Sequence, residues 1–191
     1  LISRGNLAHA YESAGRLEQA IDLFERNLAE ALRILGSGHP DTLISRGNLA
    51  HAYESAGRLD EAIDLHKKNL TEVLRVLGSD HPYTLISRGN LAAAYWSAGR
   101  LDEAIDLFER NLEDRERVLG PGHPDILISR GNLAHAYESA GRLEQAIDLF
   151  ERNLAEALRI LGSGHPDTLI SRGNLAHAYE SAGRLDEAID L

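Results

Sequence analysis

The stretch LISRGNLAHAYESAGRLEQAIDLFERNLAEALRILGSGHPDT, Leu1 to Thr42, recurs letter for letter at Leu127 to Thr168, and near-copies begin at Leu43, Leu85 and Leu169. The period is 42 residues, and it decides the fold. A strict period of that length means one supersecondary unit stacked on itself, each copy burying a face it could not bury alone. The copies span residues 1–42, 43–84, 85–126 and 127–168, with a partial fifth at 169–191, so 1–191 is expected to form a single array. The fifth copy stops before it is complete and the chain has no Met, so the sequence reads as a piece of a longer array.

Within the first copy, Leu7, Ala8, Tyr11 and Ala14 recur at helical spacing on one face, while Ile2, Gly5, Asn6, His9, Glu12 and Ser13 fall on another. This is read as an amphipathic helix A, stopped by Ser13-Ala14-Gly15-Arg16, where Gly can adopt the left-handed conformation that closes a helix end. Helix B follows, with Leu17, Ala20, Ile21, Phe24, Leu28 and Leu35 as its buried stripe and Glu18 in the first turn, where the helix dipole favours an anion. Gly36-Ser37-Gly38-His39-Pro40 ends it, and Pro40 suits the first turn of the next helix A because its missing N–H needs no partner there. In the second copy the helices are predicted over about 41–56 and 59–77.

The copies differ in ways that test this reading. Asp41 becomes Tyr83 and Thr42 becomes Ile126, so neither residue alone is the indispensable helix cap. His-Pro persists at 39/40, 81/82, 123/124 and 165/166, and those His are expected to pack or cap beside their Pro. Ala31 and Leu32 become Arg115 and Glu116, and an unpaired buried charge is costly, so this position is expected to be partly exposed and Leu32, Leu74 and Leu158 to lie on the outer surface.

An apolar fraction of 43% and a charged fraction of 26% belong to a folded globular chain. The net charge of −10 argues against nucleic acid and against anionic membrane surfaces, because both need a basic stripe. No Cys is present, which removes disulfides and thiolate chemistry and fits a cytoplasmic chain. The apolar runs are only a few residues long, so neither a transmembrane helix nor a signal peptide is expected.

The order Leu7-Ala8, Tyr11, Gly15, Ala20 and Phe24 resembles the tetratricopeptide repeat, and the match runs in register through every copy. Leu-Gly-x-x-His-Pro after helix B and Asn-Leu-Ala on helix A, at a 42-residue period, look most like the kinesin-light-chain type of that repeat. The usual repeat is shorter, and the extra length here falls in helix B. Arg4 stands where an aromatic is common, and Gly5-Asn6 stands where relatives often have two adjacent Asn.

The resemblance implies an all-α, right-handed superhelical solenoid whose A helices line a concave groove for an extended peptide or a partner's helix. Carried across by position, the groove stripe is Asn6, His9 and Glu12, then Asn48, His51 and Glu54, then Asn90, Ala93 and Trp96. The fourth copy adds Asn132, His135 and Glu138, and the partial copy adds Asn174, His177 and Glu180.

An Asn ladder suits peptide recognition, because each amide offers a donor and an acceptor to an extended backbone; the alternative is that these Asn bond neighbouring helices or water. Glycine inside a helix costs about 1 kcal/mol relative to Ala, so Gly5, Gly47, Gly89, Gly131 and Gly173 ask for a reason. Close approach of adjacent A helices is the expected one, with room for a ligand backbone as the alternative. His9, His51, His135 and His177 sit on separate copies without a second ligand at helical spacing, so no metal site is expected. No catalytic residues and no cofactor are expected either, since neither a phosphate loop nor a distinct Ser, His and Asp set is present. Copies 2 and 3 break the monotony with His66-Lys67-Lys68 and with Ala93 and Trp96, the only Trp, which has the character of a binding anchor or of a tolerated surface change.

The sequence therefore points to a protein-interaction scaffold without chemistry of its own, binding a protein or peptide. The alternative is a structural module that associates head to tail, because the first helix A presents the face that would otherwise meet a preceding helix B.

Overall fold

The computed structural model describes residues 2–120 and 122–191. Among them there is no strand, and every element is a helix: α1 (Ile2–Ser13), α2 (Leu17–Leu35), α3 (Pro40–Ser55), α4 (Leu59–Leu77), α5 (Pro82–Ser97), α6 (Leu101–Leu119), α7 (Pro124–Ser139), α8 (Leu143–Leu161), α9 (Pro166–Ser181) and α10 (Leu185–Ile189). Odd-numbered helices are the A helices and even-numbered ones the B helices. Leu1, expected at the start of the first helix, lies outside the described residues.

The turn inside each repeat closes as the sequence implies. Gly15 has φ of 71°, its N–H donates to the Glu12 carbonyl at 2.9 Å, and the Arg16 N–H donates to the Tyr11 carbonyl at 2.9 Å. This paired arrangement satisfies carbonyls that the helix end would otherwise leave open. At the other junction the cap is the histidine: His39 Nδ1 accepts from the Asp41 N–H at 3.2 Å, and His81 Nδ1 accepts from the Tyr83 N–H at 3.1 Å. Capping through His explains why Asp41 and Thr42 can vary, and Pro40 and Pro82 occupy the first turn, where no N–H is needed.

The B helices α2, α4, α6 and α8 each have 19 residues, about 28 Å, and bury one stripe, whereas α10 has 5 residues. In α2 the stripe is Ala20, Ile21, Phe24, Asn27, Leu28 and Ala31. Asn27 and Ala31 complete the expected row, while Leu17 and Leu35 at its ends are only half-buried. Leu32, Leu74 and Leu158 are exposed, as expected. The neighbouring position differs from expectation: Ala31, Val73 and Ala157 are fully buried. In the third copy Arg115 occupies that position with its side chain 14% exposed and Nη1 3.8 Å from Asp125 Oδ2.

The A helices depart from the one-faced picture. In α3, Thr42, Leu43, Ser45, Arg46, Leu49, Ala50, Ala52 and Tyr53 are all buried, because α3 packs against both α2 and α4. One core cluster joins Ala8, Ile21, Phe24 and Leu28 to Leu49, Ala52 and Tyr53 of the next copy. Each large apolar side chain so enclosed contributes about 1.5–3 kcal/mol. Leu7 is 48% exposed, although Leu49, Leu91, Leu133 and Leu175 at the same position are buried.

The chain divides into two compact units, Leu1–Gly99 and Arg100–Leu191. In the first, α1 to α5 pack in chain order, and in the second, α6 to α10 do the same.

Candidate binding groove

Burial on two flanks leaves α3, α7 and α9 one narrow open stripe each, and it is the stripe of Asn, His and Glu named from the sequence. Asn6, His9, Asn90, Trp96, Asn132 and His177 are exposed, and Glu12, Asn48, Glu54, Ala93, His135, Glu138 and Asn174 are partly so. His51 and Glu180 are exposed as well.

In the first unit a cavity of about 350 Å³ lies between α3 and α5, lined by Ile44, Gly47, Asn48, His51, Glu54, His66, Tyr83, Asn90 and Ala93. In the second unit a cavity of about 260 Å³ lies at the corresponding place between α7 and α9, with Ile128, Gly131, Asn132, His135, Asn153, Ile170, Ser171 and Asn174 in its walls. The structure thus brings Asn48 together with Asn90, and Asn132 with Asn174, across one repeat step.

The histidines and glutamates form a ladder along this face. His9 Nδ1 lies 3.3 Å from Glu12 Oε2, and His51 Nε2 of the next copy lies 4.0 Å from Glu12 Oε1. His135 Nδ1 is 3.3 Å from Glu138 Oε2, with His177 Nε2 3.7 Å from Glu138 Oε1. Glu12 and Glu138 are each approached by the His three residues before and face the His of the following copy. The rings of His9 and His135 also stand edge-on to Phe24 and Phe150, with centroids 5.0 Å apart. Among the described residues no group of three His, Cys, Asp or Glu side chains has metal-binding geometry.

The third copy has Ala93 where the next histidine would stand, so Glu54 lacks that neighbour. His66, buried at the position of Phe24 in the helix-B core, supplies the contact from below: its Nε2 lies 3.0 Å from Glu54 Oε1. The sequence marks His66 as a departure but not as a wall of the groove; the signal was that the same two copies lose a groove His and gain a core His. In the sequence Tyr83 marks only a variable position beside the cap. It forms part of the groove cavity and also of an apolar cavity of about 320 Å³ lined by Pro40, Leu43, Val76 and Leu77.

Two further features were not assigned to the site from sequence. Ile44, Ile86, Ile128 and Ile170 are exposed on the open face, Ile128 by 64%, giving the polar stripe an apolar edge. The mid-helix glycines also need a different explanation from helix crowding, since a Cβ added at Gly47 or Gly173 would meet nothing within 4 Å. Trp96 is 37% exposed.

A chain of repeated helical hairpins, each an A helix followed by a B helix, defines the class, helix-turn-helix repeat proteins. A tetratricopeptide repeat family model matches residues 1–71, 47–113, 89–155 and 131–191. The chain belongs to that family, in the form with repeats of about 42 residues. It is similar to the crystal structure of Podosopora anserina putative kinesin light chain nearly identical TPR-like repeats, at 35% identity and a TM-score of 0.90, covering 100% of this chain and 90% of that one. Its fold is also similar to that of BtubC (BKLC) from P. vanneervenii, at 24% identity and a TM-score of 0.81, over 96% of this chain and 73% of that one. A Rap protein complexed with competence and sporulation factor shares the fold at 13% identity and a TM-score of 0.71, over 98% of this chain and 50% of that one. No curated protein sequence matches the chain. Proteins of this family are typically scaffolds for protein–protein interaction. No helix among the described residues is long and apolar enough to cross a membrane.

Proposed function

We propose that this chain is a cytoplasmic protein-interaction scaffold, without catalysis of its own, that holds a peptide or helix of a partner protein against the open face of its A helices. The observation that carries this reading is the recurrence of one cavity type in both units, each walled by an Asn from two successive A helices and edged by Ile. Amides and apolar edges together suit a polypeptide, whose main chain needs hydrogen-bond partners and whose side chains need apolar contact. Trp96, a large aromatic beside the small Ala93, is the anchor.

The test is a dodecapeptide library displayed against the chain, followed by affinities of the recovered peptides for variants. Trp96→Ala is expected to weaken binding by more than about 2 kcal/mol with helicity unchanged. Peptides that bind Trp96→Ala and Asn48→Ala as tightly as the parent chain would place the site elsewhere.

A second reading is head-to-tail self-association, in which the regularity of the repeats serves stacking of one array on the next. Such a contact is heterologous and need not close. Continuous growth of sedimenting mass with concentration supports it, a plateau at twice the monomer mass indicates a closed pairing through Leu32, Leu74 and Leu158, and a constant monomer removes both.

A further inference from the structure

Directly after the Pro that opens helix A the chain has Asp41, Asp125 and Asp167 in three copies and Tyr83 in the other. The two units show what this exchange does. In the second unit a single cavity is lined both by Pro124, Leu127 and Leu161 and by Asn132 and Asn174, with Asp167 in its wall. In the first unit the equivalent residues line two cavities, and Tyr83 stands with Ile44 in the wall of both. One is the groove cavity bearing Asn48 and Asn90, and the other is the apolar cavity of about 320 Å³.

Tyr83 is fixed as the partition between them. Its N–H donates to His81 Nδ1 at 3.1 Å, and its hydroxyl meets the side chain of Asn69, which is buried beneath it. The apolar cavity has Leu43 as a buried floor, while Val76 and Leu77 are 43% and 36% exposed in its open wall. Among the described residues that line it there is no carboxylate, ammonium or guanidinium. A charged group entering there would lose hydration without gaining a partner, whereas an apolar group gains by leaving water. A cavity of about 150 Å³ suffices for benzene, so this one has room for a side chain as large as Phe.

We propose that this cavity is a specificity pocket of the groove: it takes one large apolar side chain, Phe, Leu or Met, of a peptide lying along Asn48 and Asn90, and Tyr83 creates it. The shared walls of Ile44 and Tyr83 make the pocket continuous with the groove, so a residue of the bound peptide can enter it. The second unit offers no equivalent. There the ring is replaced by the Asp167 carboxylate, 67% exposed, which an apolar neighbour would desolvate. His165 Nδ1, 3.8 Å from that carboxylate, already accepts the Asp167 N–H and brings it no proton. Near-identical repeats would otherwise bind one peptide in several registers, and the single Tyr selects one of them. The inference rests on the groove reading above and adds the side chain that is read and the place where it is read.

The test uses dodecapeptides selected by display on the full chain. They should share one Phe, Leu or Met, and its replacement by Ala should cost about tenfold or more, as for one buried apolar side chain. A photoreactive diazirine residue at that position should crosslink to residues 76–83 of the parent chain. This readout needs no substitution, so it stands whatever a variant does to the fold. Tyr83→Asp, which restores the residue of the other copies, should bind the selected peptides about tenfold more weakly and respond little to the Ala replacement. Adding Asp167→Tyr to Tyr83→Asp should recover affinity and move the crosslink to residues 160–167. If that chain binds no better than Tyr83→Asp, Tyr83 is overturned as the determinant. Crosslinks confined to Asn48, Asn90 or Trp96, with Tyr83→Asp binding as the parent does, would overturn the pocket and leave the groove reading standing. Selected peptides whose shared residue is charged would also overturn the pocket alone. If no selected peptide binds the parent chain in solution, the groove reading and the pocket fall together.

Discussion

Tyr53 donates a hydrogen bond of 2.6 Å from its hydroxyl to Glu25 Oε1, tying helix A of one repeat to helix B of the repeat before it. The same tie joins Tyr179 to Glu151 at 2.6 Å, and Tyr137 to Glu109. At the remaining step the glutamate is replaced by Lys67, and its Nζ sits 5.5 Å from the centroid of the Tyr95 ring instead.

This tie predicts an alkaline limit to stability. Burial first, and then the Glu25 carboxylate, push the Tyr53 phenol up to about 12, and burial followed by Glu109 does the same for Tyr137. For Tyr179 the hydrogen bond to Glu151 is the larger cause and burial the second, again to about 12. An unfolded phenol ionises near about 10, so the folded state holds these protons more tightly. Their contribution is fully present below about pH 10 and is lost as pH rises through about 12. Thermal melts should fall across that window, and Glu25→Gln should bring one phenolate absorbance step back toward 10. Native phenols that all ionise near about 10 would contradict the assignment.

The junction caps give a second expectation. His39→Ala leaves the Asp41 N–H without its acceptor and should cost about 0.5–2 kcal/mol, whereas His39→Asn supplies another acceptor and should recover most of it. Urea denaturation of the three chains decides this; an alanine chain as stable as the parent would mean that water caps the helix equally well.

His66 occupies a core position that is phenylalanine in the other complete copies. His66→Phe should therefore raise stability by roughly 1 kcal/mol through added apolar burial. Calorimetry checks the sign. A loss of stability would show that the contact between His66 and Glu54 outweighs the larger apolar side chain.

Adjacent positions on helix B should respond in opposite ways. Leu158 is 38% exposed, so Leu158→Glu should stay within about 0.5 kcal/mol. Ala157 is fully buried, so Ala157→Arg should cost more than about 2 kcal/mol. Equal effects at the two sites, read from urea midpoints, would mean that this face of α8 is assigned wrongly.

The sequence by itself determined the repeat, the helix pairs and their ends, because period, capping and turn chemistry are local: Gly15 closes helix A and Pro40 opens the next wherever they recur. It also determined the face carrying Asn48, His51 and Glu54, since helical spacing alone places them together. Only the tertiary structure decided that α3 is buried on two flanks, because burial of Thr42, Ser45 and Arg46 depends on packing against both α2 and α4 and has no trace in the periodicity of α3. The same reason hid Asn27, Asn111 and Asn153, which read as polar surface in a one-dimensional pattern and are buried once the hairpins close. The partnership of His66 with Glu54 crosses from helix B to the helix A before it in its own repeat, and no spacing rule within a single helix encodes that contact. What the sequence lacks is the third dimension of the stack: a periodic pattern fixes which residues share a face, and packing of neighbours fixes which of those faces remain open.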